Sequence, residues 1–441
     1  MSIHVLRILR YAKQICKQGS HKDLMKGKFY YTGSRYDPEA KLATAGTIQH
    51  LKRELAEWMG VECGYKPLNQ VKSRTHLLQY LPTNQNELPD RTMGDSFASA
   101  LIPLSTDLEL QDKYVSFLGH VRVGRLLEDM DIFAVYIAQK HILNPKQPEG
   151  KHSPYTLVTA LVDKIDFTDY LPKHDKDIQI SGHVTWAGTS SVEVVVWLEQ
   201  IVDEQRNLLM SALFLMMVRD AATMKAAIIN ALKATTDEEQ ELIDKGSLRK
   251  EERVQTRSKS ITKVIPNAKE QEILHELFIR TIDSKEENFS KLTLPPNCEW
   301  MEDYTLSNLI VVHPEHRNLH NNVFGGFIMR AALEVSYGLG YLFTNSRPLF
   351  RTISDITFNK PISLNSLIHM HAHLVCTKGK FYQIRVHTHA WNAEDSTNFT
   401  SNTFHFTYES PTNVKEIFPK TYQESMKYID GYRNLVKSIG N

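Results

Sequence analysis

The stretch NLHNNVFGGFIMRAALEVSYGLGYLF, positions 318–343, decides how this chain is read. An amide-rich loop runs into two adjacent glycines, and an apolar run with helical spacing follows them. Glycine is a poor helix former, so a pair of them at a helix start calls for a reason other than propensity. A second stretch, HVRVGRLLEDMDIFAVYIAQKH at 120–141, repeats the pattern when Val123-Gly124 is placed over Gly325-Gly326.

The alignment extends downstream of both helices. LVTALVDKIDF (157–167) echoes LFRTISDITF (349–358), with Asp163 set over Asp355 and Phe167 over Phe358. DIQISGHVTWAGTSSVEVVVWLEQIV (177–202) matches LIHMHAHLVCTKGKFYQIRVHTHAW (367–391), each reading as two alternating strands around a small polar turn. LLMSALFLMMVRD (208–220) and STNFTSNTFHFTYES (396–410) close the two series as strands. Each half is therefore a loop, one long apolar helix and a run of hairpin-linked strands. Such strands form an antiparallel sheet, and a lone helix buries its apolar stripe against it. The expected architecture is α+β, built twice.

The boundaries expected are a leader at 1–74, a first domain at 75–220, a charged helical linker at 221–295, a second domain at 296–415 and a helical tail at 416–441. The linker reads as a solvated helix opened by Thr236 or Asp237. The first residues, MSIHVLRILRYAKQICKQGSHK, hold Arg7, Arg10, Lys13, Lys17 and Lys22 before any acid, the composition of a mitochondrial transit peptide.

Composition narrows the class. The 441 residues carry 52 Lys+Arg against 51 Asp+Glu, so net charge gives no case for nucleic acid as a partner. No apolar run is long enough for a transmembrane segment. Cys16, Cys63, Cys298 and Cys376 are widely spaced with no C-x-x-C pair, which fits a reducing compartment and neither a disulfide framework nor a zinc site.

One helix cradled by an antiparallel sheet, with Asn and Gly-Gly just ahead of the helix, resembles the hotdog fold of acyl-CoA thioesterases. HPEHRNLHNNVFGGFIMR, RVGRLLEDMD, LVTALVDKID, ISGHVTWAGTSSVEV and FPKTYQESM together look like the mitochondrial acyl-coenzyme A thioesterase 9 group, which has tandem hotdog domains. The resemblance implies a double hotdog that hydrolyses acyl-CoA to free acid and coenzyme A. It implies no metal and no redox cofactor, and self-association into a homo-oligomer, as dimers or trimers of double-hotdog chains.

In related hotdog thioesterases a catalytic Asn lies seven residues before the first glycine and an acid seven after the second, each site drawing one residue from each partner domain. In the second half these positions are Asn318 and Leu333, and in the first half Ser116 and Asp131. One composite site thus combines Asp131 with Asn318. The other pairs Ser116 with Leu333, with Glu334 as the only secondary acid nearby. Asp131 lies at the border of the stripe formed by Leu126, Leu127, Met130, Phe133, Ala134 and Ile137, where partial burial raises a carboxylate's pKa toward that of a base. Glu128 and Asp129 are assigned to the solvated face.

Gly325 and Gly326 read as an oxyanion site, where backbone N–H groups at a helix N-terminus meet a thioester oxygen with no Cβ in the way. Close helix packing also wants glycine there. For the phosphates of coenzyme A the candidates are the turn residues Thr189, Ser190 and Ser191, with Lys378, Lys380 and Arg351 chosen by charge. The groups HMHAH (369–373) and HTH (387–389) read as a polar or interface sheet face rather than a metal site. Two other readings stand beside the thioesterase: a hotdog hydratase using His320, and a non-catalytic acyl-CoA-binding scaffold.

Overall fold

The computed structural model describes residues 46–439 apart from 61–72, 164, 204, 259–260, 262, 283–290, 319–321, 355, 359 and 395. The basic N-terminal stretch, His320, Asn321 and Asp355 lie outside the described residues.

Two long helices carry the fold: α3 (Val123–His141) and α6 (Gly325–Thr344). Both begin without a side-chain cap, at Arg122 and Phe324. α3 ends with Lys140 in its last turn, and α6 on Asn345 in the left-handed region (φ 48°). Leu126, Leu127, Met130, Phe133, Ala134 and Ile137 of α3 are all fully buried.

A single sheet wraps both helices. The first half supplies β1 (Ala98–Ile102), β2 (Tyr155–Val162), β3 (Ile165–Phe167), β4 (Ile178–Ala187), β5 (Ser191–Val202) and β6 (Gln205–Asp220). The second supplies β7 (Thr305–Val311), β8 (Leu349–Ile353), β9 (Ile356–Thr357), β10 (Ser366–Lys378), β11 (Phe381–Asn392) and β12 (Asn398–Glu409). Along the sheet the order is β1-β4-β5-β6-β3-β8-β12-β11-β10-β7, with β2 joining β6 to β9. The halves meet at two junctions that map onto each other, Ile165 opposite Ile353 and Ile356 opposite Val162. This is a double hotdog.

The internal repeat survives in hydrogen-bond detail. Ser116 N–H donates to His120 O (2.7 Å) and Asn318 N–H to Asn322 O (2.6 Å), two matching turns ahead of matching helices. Arg122 N–H to Tyr114 O likewise mirrors Phe324 N–H to His316 O. The strands require one correction. The ladder β2–β6 skips Ala160 and β8–β12 skips Arg351, so the two bulges coincide and Phe167 matches Phe358 as expected. That register makes Ser354, not Asp355, the repeat counterpart of Asp163.

Expectations about exposure also change. The segment after β6 is packed, not solvated: α4 (Asp237–Ser258) lies on the outer face of β4 and β5, with Gly246 against the Trp186 ring and Arg249 bonded to Glu193, which is fully buried. Beyond Leu242 its inward face is Gly246, Arg249 and Arg253, so an apolar periodicity never announced it. α7 (Tyr422–Ile439) covers β10–β12 in the same way, with Gly431 against Val375 and Arg433 bonded to Glu270 of α5 (Ala268–Arg280).

Residues 46–60 of the supposed leader also belong to the core. α1 (Ile48–Met59), capped by Thr47, buries Ile48, Leu51, Leu55 and Met59 and stacks Trp58 on Tyr136 of α3. It also covers Asp129, which is 1% exposed and bonded to Lys52 of α1 (2.9 Å) and to Tyr114 of α2 (Leu108–Tyr114). Glu128 is likewise covered, by Arg125 and Arg330. Among the described residues no helix is long and apolar enough to cross a membrane.

Candidate functional site

α3 and α6 cross so closely that each passes a glycine over the other. A Cβ on Gly326 would come within 2.8 Å of the Glu128 Cα, and one on Gly124 within 2.7 Å of the Arg330 Cγ. Glu128 and Arg330 hold the same repeat position and are bonded to each other at 2.9 Å, so a pseudo-two-fold axis runs between them. Two cavities follow from that symmetry, one at each helix N-terminus.

The cavity at the start of α6 is about 900 Å³ and is lined by Asp131, Thr159, Asn318, Gly325 and Phe358, among others. Asp131 and Asn318, far apart in sequence, thus line one cavity. Asp131 is 1% exposed. Its Oδ2 accepts the Gly326 N–H (2.8 Å) and its Oδ1 accepts the Thr159 hydroxyl (2.7 Å). Burial pushes its pKa up to about 6, and the two hydrogen bonds pull the other way without offsetting it. A carboxylate so placed is ionised at neutral pH yet basic enough to take a proton from water.

The two glycines stand in different settings, and the Gly326 N–H expected to meet a thioester oxygen is taken by Asp131. Gly326 allows the close crossing and gives its N–H to Asp131. Gly325 lines the cavity as the first residue of the helix, and a Cβ there would sit 3.1 Å from Asp131 Oδ2.

Asn318 lies half-buried in the loop before α6. Its Oδ1 accepts the Asn322 N–H (3.1 Å), which fixes the carboxamide and makes its nitrogen the donor end. Thr159 was not foreseen. Its signal is a lone hydroxyl within the apolar run LVTALV, too common a pattern to single out alone.

The phosphate candidates do not gather here. Thr189, Ser190 and Ser191 lie at the tight β4–β5 turn, outside the lining of this cavity, with their carbonyl oxygens accepting from Ile229, Val218 and Gly188. Lys378 lines a separate cleft with Arg280 and Asn413. Lys380 is paired with Glu409, and Arg351 with both Asp169 and Glu409. Charge alone cannot tell a ligand's cation from one held by its own chain. The cations lining the Asp131 cavity include Arg219 and Lys360, bonded to the Met224 carbonyl and stacked over Phe399 respectively.

Glu334 stands at the other cavity, half-exposed and paired with Arg122, while Leu333 at the acid position is buried. The histidines pair across strands, His369 with His389 and His371 with His387. Among the described residues no three side chains of metal-ligand type converge.

No family model matches the chain. It is 38% identical over 414 residues to acyl-coenzyme A thioesterase 9, mitochondrial, of Mus musculus, covering 93% of each chain. It is 37% identical over 394 residues to the Homo sapiens protein of that name, covering 89% of each. Among solved structures, an acyl-CoA hydrolase from Staphylococcus aureus in complex with butyryl coenzyme A, coenzyme A and coenzyme A disulfide is 24% identical, with a TM-score of 0.31 over 38% of this chain and 90% of that one. An oleoyl thioesterase (putative) from Lactobacillus plantarum is 10% identical, with a TM-score of 0.40 over 71% of this chain and 96% of that one.

Proposed function

The chain belongs to the acyl-coenzyme A thioesterase 9 family, and from that premise we propose that it hydrolyses acyl-CoA at the cavity shared by Asp131 and Asn318. The observation that carries this reading is the hydrogen bond from Gly326 N–H to Asp131, which sets the base of one half on the helix N-terminus of the other.

The thioester carbonyl oxygen takes the N–H of Gly325, where the helix dipole favours developing negative charge. Asn318, through its carboxamide nitrogen, steadies the same oxygen or the attacking water. Asp131 removes a proton from that water as its oxygen bonds to the carbonyl carbon. Collapse of the tetrahedral intermediate breaks the C–S bond, and the proton goes to the coenzyme A thiolate. One acyl-CoA and one water give one acid and one thiol. Arg219 and Lys360 are the cations we assign to the coenzyme A phosphates.

The domain limits we propose are a first hotdog running from α1 through α4 and a second from β7 through α7. The relatives are named mitochondrial, and we place this chain in the mitochondrial matrix, an assignment that import assays and subfractionation test. We also propose a homo-oligomer. Val311, Leu367 and Trp391 stand side by side across β7, β10 and β11 on a face that leaves Val311 52% and Trp391 55% exposed, an apolar row suited to a second copy. Sedimentation velocity of the full chain tests it.

For the reaction itself, thiol release from a series of acyl-CoA substrates is the test. Release is expected. Acyl-CoA binding with no thiol from any chain length would instead make the protein an acyl-CoA-binding scaffold.

A further inference from the structure

The start of α3 opens on the second cavity, about 610 Å³, lined by Ser116, Gly124, Leu333 and Phe350, among others. These are the counterparts of Asn318, Gly326, Asp131 and Thr159: the turn hydrogen bonds equate Ser116 with Asn318, and the coincident bulges equate Phe350 with Thr159. The amide, the acid and the hydroxyl have all been replaced, yet the space has not closed. Close-packed interiors hold few voids larger than a water molecule, and an unused one fills easily with larger side chains. The walls are apolar, with Phe167, Leu209 and Met210 beside Leu333 and Phe350. Phe117 and Leu171, also in the lining, are 84% and 52% exposed.

The charge at the rim is not balanced. Arg122 is paired with Glu334, and Arg351 with Asp169 and Glu409. Arg347 bonds instead to the His120 ring (2.7 Å) and to the Tyr337 hydroxyl, and no carboxylate among the described residues pairs with it. His120 has its pKa lowered by burial and by Arg347 itself, so at neutral pH it adds no charge of its own. The cavity thus joins an apolar wall to one uncompensated guanidinium, the complement of a long apolar chain ending in a phosphate.

We propose that this second cavity binds acyl-CoA without hydrolysing it, the acyl chain lying along Phe167, Leu209, Met210 and Leu333 and a phosphate meeting Arg347. Leu333 stands where the base would be, Glu334 is held by Arg122 and the His120 ring by Arg347, so the base position is empty of a proton acceptor and a bound thioester persists. The proposal rests on the acyl-CoA reading of the first cavity.

The test is the stoichiometry of binding of the butyl, octyl and hexadecyl thioethers of coenzyme A, which cannot be hydrolysed, measured by isothermal titration on the full chain. Wild type is expected to take up two molecules per chain of at least one thioether. Arg347→Glu, which reverses the rim charge, and Met210→Trp, which fills the wall, are each expected to take up one. A single molecule per chain in wild type, or two in both variants, overturns the proposal. Thiol release from the matching acyl-CoA on the same preparations separates the failures. One bound molecule with thiol release sinks only the second site, whereas neither binding nor release sinks the thioesterase reading as well. If one variant does not fold, the other decides.

Discussion

The Oδ2 of Asp131 lies 2.8 Å from the amide nitrogen of Gly326, although the two residues belong to different halves of the repeat. The same carboxyl is held by Thr159 and shut away from solvent, with its pKa raised from 3.8 to about 6. Between those values the folded chain keeps a proton that the unfolded chain releases. Stability therefore falls as pH rises through that window, and the full penalty is present above it. A pKa rise of that size corresponds to roughly 3 kcal/mol. Asp131→Asn carries no such charge. It is expected to melt higher than wild type near neutral pH, with the gap closing as pH drops toward the lower value. Equal melting temperatures at both ends of the window would mean that the carboxyl is not desolvated.

Turnover has its own pH signature. Because the base must be ionised, kcat/KM is expected to climb with pH through an acid limb centred near 6 and then level off. The Thr159 hydroxyl stabilises the ionised form, so Thr159→Val moves that limb upward as well as slowing the reaction. A Thr159→Val enzyme that is slower but has an unmoved limb would reduce Thr159 to a packing role.

The two glycine crossings differ in what opposes a methyl group. At Gly326 the obstacle is the backbone of Glu128, 2.8 Å from the added Cβ, so the helices must part. Gly326→Ala is expected to cost about 1–3 kcal/mol in chemical denaturation and most of the activity. At Gly124 the obstacle is the flexible Arg330 side chain, and Gly124→Ala is expected to cost less and to leave thiol release nearly intact. Equal losses at both positions would argue against the distinction.

α4 owes its place to charge. Arg249 and Arg253 converge on Glu193, whose side chain is fully buried. Arg249→Ala leaves that carboxylate short of a partner and is expected to destabilise the chain by about 3 kcal/mol, while the double change Glu193→Met with Arg249→Met recovers most of it. Full stability in the Arg249→Ala chain would return α4 to the role of a solvated linker.

What the sequence disclosed, and what it hid, follows from how each contact is encoded. The repeat, the helix-on-sheet architecture and the opposition of Asp131 to Asn318 were legible because loop and helix keep constant spacing in both halves. Thr159 was not, since its partner lies on another element and the bulges at Ala160 and Arg351 shift the strand register by one. α4 and α1 were misread for opposite reasons. The first packs through Gly246, Arg249 and Arg253, which look like solvent-facing residues, and the second packs through good apolar periodicity inside a stretch set aside as a leader. Asp129, read as solvated within the run EDMD, is buried because α1 lies over it.

The central claim is that the site is divided: the base comes from the first half, and the amide and helix N-terminus from the second. The most direct measurement is the initial rate of free thiol release at saturating acyl-CoA for wild type, Asp131→Asn, Asn318→Ala and Glu334→Gln. The account predicts a loss of roughly 10²–10⁴-fold in the first two variants and near wild-type release from Glu334→Gln. Release that survives in Asp131→Asn, or that is lost only in Glu334→Gln, would contradict it.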